Sequence, residues 1–484
     1  MVFSSVIFLF LLLPAVLAVG LPLQALANRS GGTGFWLGWT HTWLLAASLV
    51  FYAWGEPRLV WLLLASCLLN YLGGICCAPG KRGRKTALVA AVAANLSLLA
   101  FFKYGVLAVE TAGRFHSDLF GLGKWWMSVT LPLGISFYTF HGISYVVDVW
   151  RGKVAASRNF RDFACYYTLF PQLIAGPIVR YSEVAVYFAS RRVCRDDLAE
   201  GAWRFVGGLG KKVLIANQVA GLADTVFALP SDARTMSAAW LGLCAYALQI
   251  YFDFSGYSDM AIGIGRMFGF KFPENFFYPY ASRSMREFWR RWHMTLSRFF
   301  RDYLYIPLGG NRHGALRTGF NLVLVFGLCG LWHGASWNFL IWGLFHGIFL
   351  AGERFFERVA IPAWLRALGH PYVLIVTLLS WVFFRCDTWA LSMAYFHSLL
   401  LAKAGGGLAV IPWNAIAPNV LYAFYAGVLL CVPSLPAVSA WCSGRRIVRP
   451  FVAPCSAVAQ LAVLFLCLLA IGSGSHNPFI YYRF

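Results

Sequence analysis

The chain has 484 residues, of which 60% are hydrophobic, 17% aromatic and only 12% charged, against roughly 25% charged residues in soluble globular proteins. Its 40 Lys and Arg outnumber 19 Asp and Glu, a formal charge of +21 that in so apolar a chain matches an anionic membrane surface rather than nucleic acid. A disordered or polyanion-binding protein is excluded, and no hydrophilic stretch is long enough for a separate soluble domain, so residues 1–484 read as a single integral membrane domain.

A helical span needs about 20 apolar residues. Apolar cores run over 3–20, 35–54, 59–78, 87–102, 238–252, 320–331, 337–350, 372–384, 420–432 and 457–471. The first lacks a basic leading region and is soon followed by further apolar segments, so it reads as a retained span rather than a signal peptide. The expected fold is all-α and polytopic, with about eleven to thirteen membrane helices. Segments 131–150 and 160–179 are apolar but broken by Pro132, Pro171 and Pro177. Such breaks persist in a membrane only where neighbouring protein or a water-filled cavity satisfies the freed backbone, so short or re-entrant helices lining a chamber are expected there. Residues 282–305, SRSMREFWRRWHMTLSRFFRDYLY, join a dense basic face to Phe288, Trp289, Trp292, Leu296, Phe299 and Phe300. That pattern predicts an amphipathic helix lying at an interface.

Basic loops set the orientation. Lys81, Arg82, Arg84 and Lys85 form one cluster and Arg445, Arg446 and Arg449 another, and the positive-inside rule puts both on the cytoplasmic side. Counting spans outward from these clusters places the N-terminus and the 477–484 tail on the extracytoplasmic side. Of the twelve cysteines, Cys67, Cys165, Cys244, Cys329, Cys431 and Cys467 sit inside apolar runs and read as small buried hydrophobes. No pair of CxxC motifs has zinc-finger spacing, and no metal site is expected.

Ionisable residues in apolar segments are costly enough that each is a functional hypothesis. His333 lies at the end of a span in GLCGLWHGASWNF, flanked by Trp332 and by Gly330 and Gly334, glycines that permit close approach of a ligand or another backbone. The bland alternative is a buried histidine bonded to a backbone carbonyl. His293, in WRRWHMTLS, comes forty residues earlier and so from a different helix. His346 lies thirteen residues beyond His333, about 20 Å along a continuous helix, and is not expected to share its site; His141 is a weaker candidate. Asp253 and Asp259, in QIYFDFSGYSDMAIG, are open to cation binding, proton relay or acid–base work, with Gly256 suggesting an interrupted helix. The favoured reading is that they hold basic partners such as Arg286 or Arg290. GIGRMFG is no dinucleotide loop, and no GxSxG, HExxH or Walker motif occurs.

Taken together, FFKYG at 101–105, LPLGISFYTFHGISYVVDVWRG at 131–152, FPQLIAGPIVR at 170–180, YFDFSGYSDMAIG at 251–263, EFWRRWHMTLSRFFRDYLYIPLGGNR at 287–312 and GLWHGASWNFLIWGLFHG at 330–347 resemble the membrane-bound O-acyltransferase family, in its bacterial branch of alginate and peptidoglycan O-acetyltransferase membrane subunits. The resemblance implies spans and re-entrant helices around a funnel and tunnel. It matches His333 to the family's catalytic histidine and His293 to a second histidine of this branch, with Trp332, Asn338, Asp253 and Asp259 in support. It also implies no bound cofactor, acetyl-CoA as cytoplasmic acyl donor, and a separate SGNH-type transferase as extracytoplasmic partner. The ending NPFIYYRF resembles a FIYFxF tail on some acyltransferases of this branch and on a companion protein of teichoic acid D-alanylation; Tyr481 matches its acyl-carrying tyrosine, while Tyr482 stands where that pattern has Phe. An aromatic interface anchor is the bland reading of this tail. The rival function is a transporter or flippase of acyl or glycan intermediates with the buried His and Asp residues as proton relays.

Overall fold

The computed structural model describes residues 2–113, 131–356, 362, 367–401, 407–416, 418–445, 449–474 and 480, and every regular element among them is helical. The chain is a multi-pass membrane protein whose helices divide into two compact units, residues 1–205 with 258–274 and residues 206–257 with 275–484. Among the described residues six single helices are long and apolar enough to span a bilayer: Phe8–Arg29, Val60–Cys77, Arg84–Val109, Gly314–His333, Trp337–Phe356 and Phe451–Gly472. Val420–Leu430 and Ser434–Ser443 add a further broken span, bent by 67°. Other helices that carry apolar cores are either short, like Gly369–Arg385, or thread polar residues such as Gln249, Asp253 and Asp259 through a buried environment, like Met236–Met267. Apolarity is needed where lipid is the neighbour, and the Phe451–Gly472 helix, only 6% of whose most apolar stretch is buried, is the extreme case.

In the first unit the proline-broken stretch forms short helices, Ile135–Trp150, Phe160–Thr168 and Phe170–Leu173. The backbone groups freed by the breaks find partners inside the protein. Asn159 caps Phe160–Thr168 by accepting the Arg161 and Asp162 amides. Gln172 Nε2 donates to the Tyr166 carbonyl at 2.6 Å and the Tyr166 hydroxyl donates to the Val179 carbonyl at 3.0 Å. Irregular backbone at membrane depth is tolerated under this condition. Asp259 belongs to this unit and pairs with Arg204 at 2.7 Å, which also holds Glu274 at 2.5 Å.

In the second unit an apolar core gathers Tyr251, Phe288, Trp292, Trp342, Trp381 and Phe384. The Gly314–His333 and Trp337–Phe356 helices pack as a close antiparallel hairpin through glycines. A Cβ on Gly330 would overlap the Phe339 carbonyl oxygen, and one on Gly343 would overlap the Phe326 carbonyl oxygen. The two backbones therefore touch, as small residues allow in a membrane where apolar burial gives helices no drive to associate.

Two local expectations are corrected. The 282–305 segment is not one helix: it breaks into Met285–Arg291 and Met294–Phe300, with a π-helical turn over Arg301–Tyr305. The break falls at His293, whose φ of 41° is left-handed. Its aromatic face is wholly inside, with Phe288, Trp289, Trp292, Leu296, Phe299 and Phe300 all buried. Conversely, Gly256 does not interrupt its helix, which runs unbroken over Met236–Met267. The glycine is needed because the Gly208 carbonyl oxygen would lie 2.7 Å from a Cβ there.

Candidate active site

His333 is the last residue of the Gly314–His333 helix and is 3% exposed. Three aromatic rings wall its imidazole: Trp332 at 4.8 Å between centroids, Trp342 at 5.0 Å and Phe384 at 5.3 Å, all steeply inclined. Trp342 comes from the facing helix of the hairpin and Phe384 from Gly369–Arg385. The glycines beside His333 serve this packing: a Cβ at Gly334 would overlap the Phe339 ring, and Gly330 admits the Phe339 backbone. Close approach is therefore by protein at both positions.

His293 reaches the same neighbourhood from a separate element. Its ring lies 6.1 Å from Trp332, the residue that also packs on His333, and is flanked by Phe254 at 4.7 Å and Phe276 at 6.3 Å. The left-handed backbone at residue 293 is uncommon for a non-glycine residue and is the kind of strain that collects at functional sites. The surroundings also fix its protonation. Asn275 Oδ1 receives the Thr295 backbone N–H at 3.2 Å and the Thr295 hydroxyl at 2.9 Å, and lies 3.0 Å from His293 Nδ1. A backbone amide can only donate, so the Asn275 atom is an oxygen, and His293 Nδ1 must then carry the proton it donates. In the neutral ring the lone pair is left on Nε2, a buried atom with no hydrogen-bond partner among the described residues. That nitrogen is an acceptor or base with no ligand of its own among the described residues.

Of the supporting residues, Asn338 holds the wall together: its Nδ2 donates to the Cys386 carbonyl at 2.7 Å and the Ser392 hydroxyl at 3.1 Å, tying Trp337–Phe356 to the elements that follow Phe384. The His346 and His333 rings both pack on Trp342, at 4.9 and 5.0 Å. The Trp289 indole N–H donates to His346 Nδ1, which leaves the ring proton of a neutral His346 on Nε2. Asp253 pairs with Lys212 at 2.6 Å, both side chains almost fully buried. The two carboxylates do hold basic residues, and these are Lys212 and Arg204. His141 is fully buried within the first unit, its ring nitrogens without partners among the described residues. Tyr481 and Tyr482 lie outside the described residues, whereas Ile480 is described and buried.

Asn275 and Lys212 were missed by sequence reasoning. Lys212 carried a usable signal, a cation at the edge of the apolar run KKVLIA. Asn275, in PENFFYPY, carried none. Replacing Asn275 by leucine should orphan the His293 and Thr295 donors, at about 1–3 kcal/mol each, and lower acyl transfer roughly tenfold or more. Asn275→Asp, which keeps an acceptor, should lose less; the reverse order in a coenzyme A release assay would refute the tautomer argument.

The geometry is matched by similarity to known proteins. A family model for MBOAT, the membrane-bound O-acyltransferase family, matches residues 82–396, the stretch that holds both histidines. The chain belongs to the membrane-bound O-acyltransferase family. It is 39% identical to the probable alginate O-acetylase AlgI of Azotobacter vinelandii, with all of both chains covered. It is 36% identical to the peptidoglycan O-acetyltransferase of Helicobacter pylori, over 80% of this chain and 77% of that one, and 30% identical to the teichoic acid D-alanyltransferase of Bacillus subtilis over 47% of this chain and 60% of that one. As a member of this family the protein is an O-acyltransferase.

Proposed function

We propose that this membrane-bound O-acyltransferase takes acetyl groups from cytoplasmic acetyl-CoA and delivers them across the bacterial inner membrane for O-acetylation of an extracytoplasmic polysaccharide, a peptidoglycan or an exopolysaccharide. The observation that carries the proposal is the convergence of His293 and His333, from separate elements, on Trp332 in a buried aromatic pocket. The relatives named as alginate and peptidoglycan acetylases support the acceptor class.

In the first step His333 takes the proton of the Tyr481 phenol as its oxygen attacks the thioester carbonyl carbon. The carbon–sulfur bond breaks, the proton passes to the departing thiolate, and the products are coenzyme A and an acetylated tyrosine. In the second step the hydroxyl of an SGNH-type partner's nucleophile attacks that aryl ester and the phenol regains its proton. His293 Nε2 holds a lone pair and so does not suit a donor to the thioester carbonyl; since the single Tyr481 proton goes to His333, it suits an acceptor of the hydrogen bond from the partner's hydroxyl in the second step. The aromatic walls exclude water, which protects the thioester from hydrolysis. A transporter that relays protons through Asp253 and Asp259 is disfavoured, because both carboxylates are closed in ion pairs with Lys212 and Arg204.

The basic cytoplasmic clusters suit the phosphates of coenzyme A, so entry from that side is testable. Inside-out membrane vesicles supplied with labelled acetyl-CoA should release coenzyme A, while sealed right-side-out vesicles should not. The opposite pattern would overturn the orientation.

A further inference from the structure

Asp253 and Lys212 are more deeply buried than a structural ion pair needs to be, at 2% and 3% side-chain exposure with 2.6 Å between Oδ1 and Nζ. Removing two charges from solvent costs enough to offset their attraction, and well-packed apolar residues usually stabilise such an interior as well or better. The charge has a further use at this position. The second carboxylate oxygen, Oδ2, accepts the backbone N–H of Ile480 at 2.9 Å, a buried bond across 227 positions of sequence. Ile480 is 6% exposed and belongs to the same apolar core as Trp342, Trp381 and Phe384. On the next residue of the Asp253 helix, Phe254 packs against His293. Lys212 in turn lies in a π-helical segment, Lys211–Ala216, a geometry that is rare and frequent at functional sites.

We propose that Asp253, held by Lys212, is the anchor that seats the Ile480 backbone inside the second unit, and that acyl transfer through Tyr481, the next residue, depends on this anchor. The inference deepens the reading of Tyr481 as acyl carrier and rests on it for its functional half. Asp253 is a positioning residue: it binds the tail backbone rather than the reacting atoms. An ionised carboxylate suits this task, because a backbone N–H bonds a charged acceptor more strongly than a neutral one. Lys212 keeps that charge in place in the apolar interior.

The test uses the full-length protein purified in detergent. Carboxypeptidase release of the C-terminal residues is followed by intact-mass spectrometry, and label from acetyl-CoA is counted on the C-terminal peptide. Asp253→Ala should speed tail digestion and lower the peptide's label, each about tenfold, while affinity for coenzyme A, measured on the same preparations, stays at the wild-type value. If Asp253→Ala misfolds because Lys212 is left as an unpaired buried charge, the double variant Asp253→Leu with Lys212→Met decides. It removes both charges and the acceptor while keeping the interior filled, and it should show the same exposed tail. A wild-type tail digested as fast as the variants', or variant tails as protected as the wild type's, would overturn the anchor. Tyr481→Phe separates the two readings: it should remove the label and leave the tail protected. If instead it leaves acetylation intact, the carrier reading fails, while the protease comparison still decides the anchor.

Discussion

Replacing His333 by alanine should abolish glycan O-acetylation in cells while the protein stays in the membrane at normal abundance. The imidazole is the proposed proton acceptor for the attacking hydroxyl, and loss of such a group costs roughly 10²- to 10⁴-fold in rate. The fold should tolerate the change, because the pocket around residue 333 is built by other side chains. Trp332, Trp342 and Phe384 keep their places in the wall, and Asn338 still ties the Trp337–Phe356 helix to Cys386 and Ser392. Near-wild-type acetate released from purified polysaccharide would remove His333 from the mechanism. His293→Ala should also impair transfer, by a smaller factor, since it orients the incoming hydroxyl of the second step rather than taking the Tyr481 proton.

The second large effect is expected at the tail. Tyr481→Phe should block glycan acetylation without affecting membrane insertion, and Tyr482→Phe should be nearly silent. A phenol with an ordinary pKa of about 10 is a weak nucleophile at neutral pH and needs a base, the role proposed for His333. The resulting aryl ester is a more reactive donor than an alkyl ester, which suits a carrier that must give its acyl group away. Mass spectrometry of enzyme trapped with acetyl-CoA, in the absence of the partner protein, should find one acetyl group on Tyr481. Full activity of Tyr481→Phe in cells, or an acetyl group found only on another residue, would end this reading.

Much of this was legible in the sequence, for identifiable reasons. Low charge and long apolar runs mark a membrane protein because lipid penalises every polar group, and the prolines of 131–179 mark broken helices because proline cannot supply the missing backbone donor. His333 and His293 stood out as costly residues in apolar surroundings. What was hidden depends on contacts between distant residues. The 282–305 pattern of basic and aromatic residues has helical periodicity throughout, so nothing local announces the left-handed turn at His293; Asn275 enforces it from 18 positions away. Gly256 looks the same in sequence whether it breaks a helix or admits a neighbour's carbonyl, and only the position of Gly208 decides. The partner of Asp253 lies 41 residues back, at Lys212, and its second ligand lies 227 residues on, at Ile480.

The backbone contact between Gly330 and Gly343 bears on how the enzyme meets its substrates. A helix pair joined through side chains can slide by changing rotamers, whereas two backbones in direct contact have no such freedom to draw on. His333, three residues beyond Gly330, and Trp342, immediately before Gly343, are therefore fixed with respect to each other before any thioester arrives. Ordering them adds nothing to the entropic cost of binding, and the hairpin acts as a preorganised jaw against which the acceptor is brought to bear.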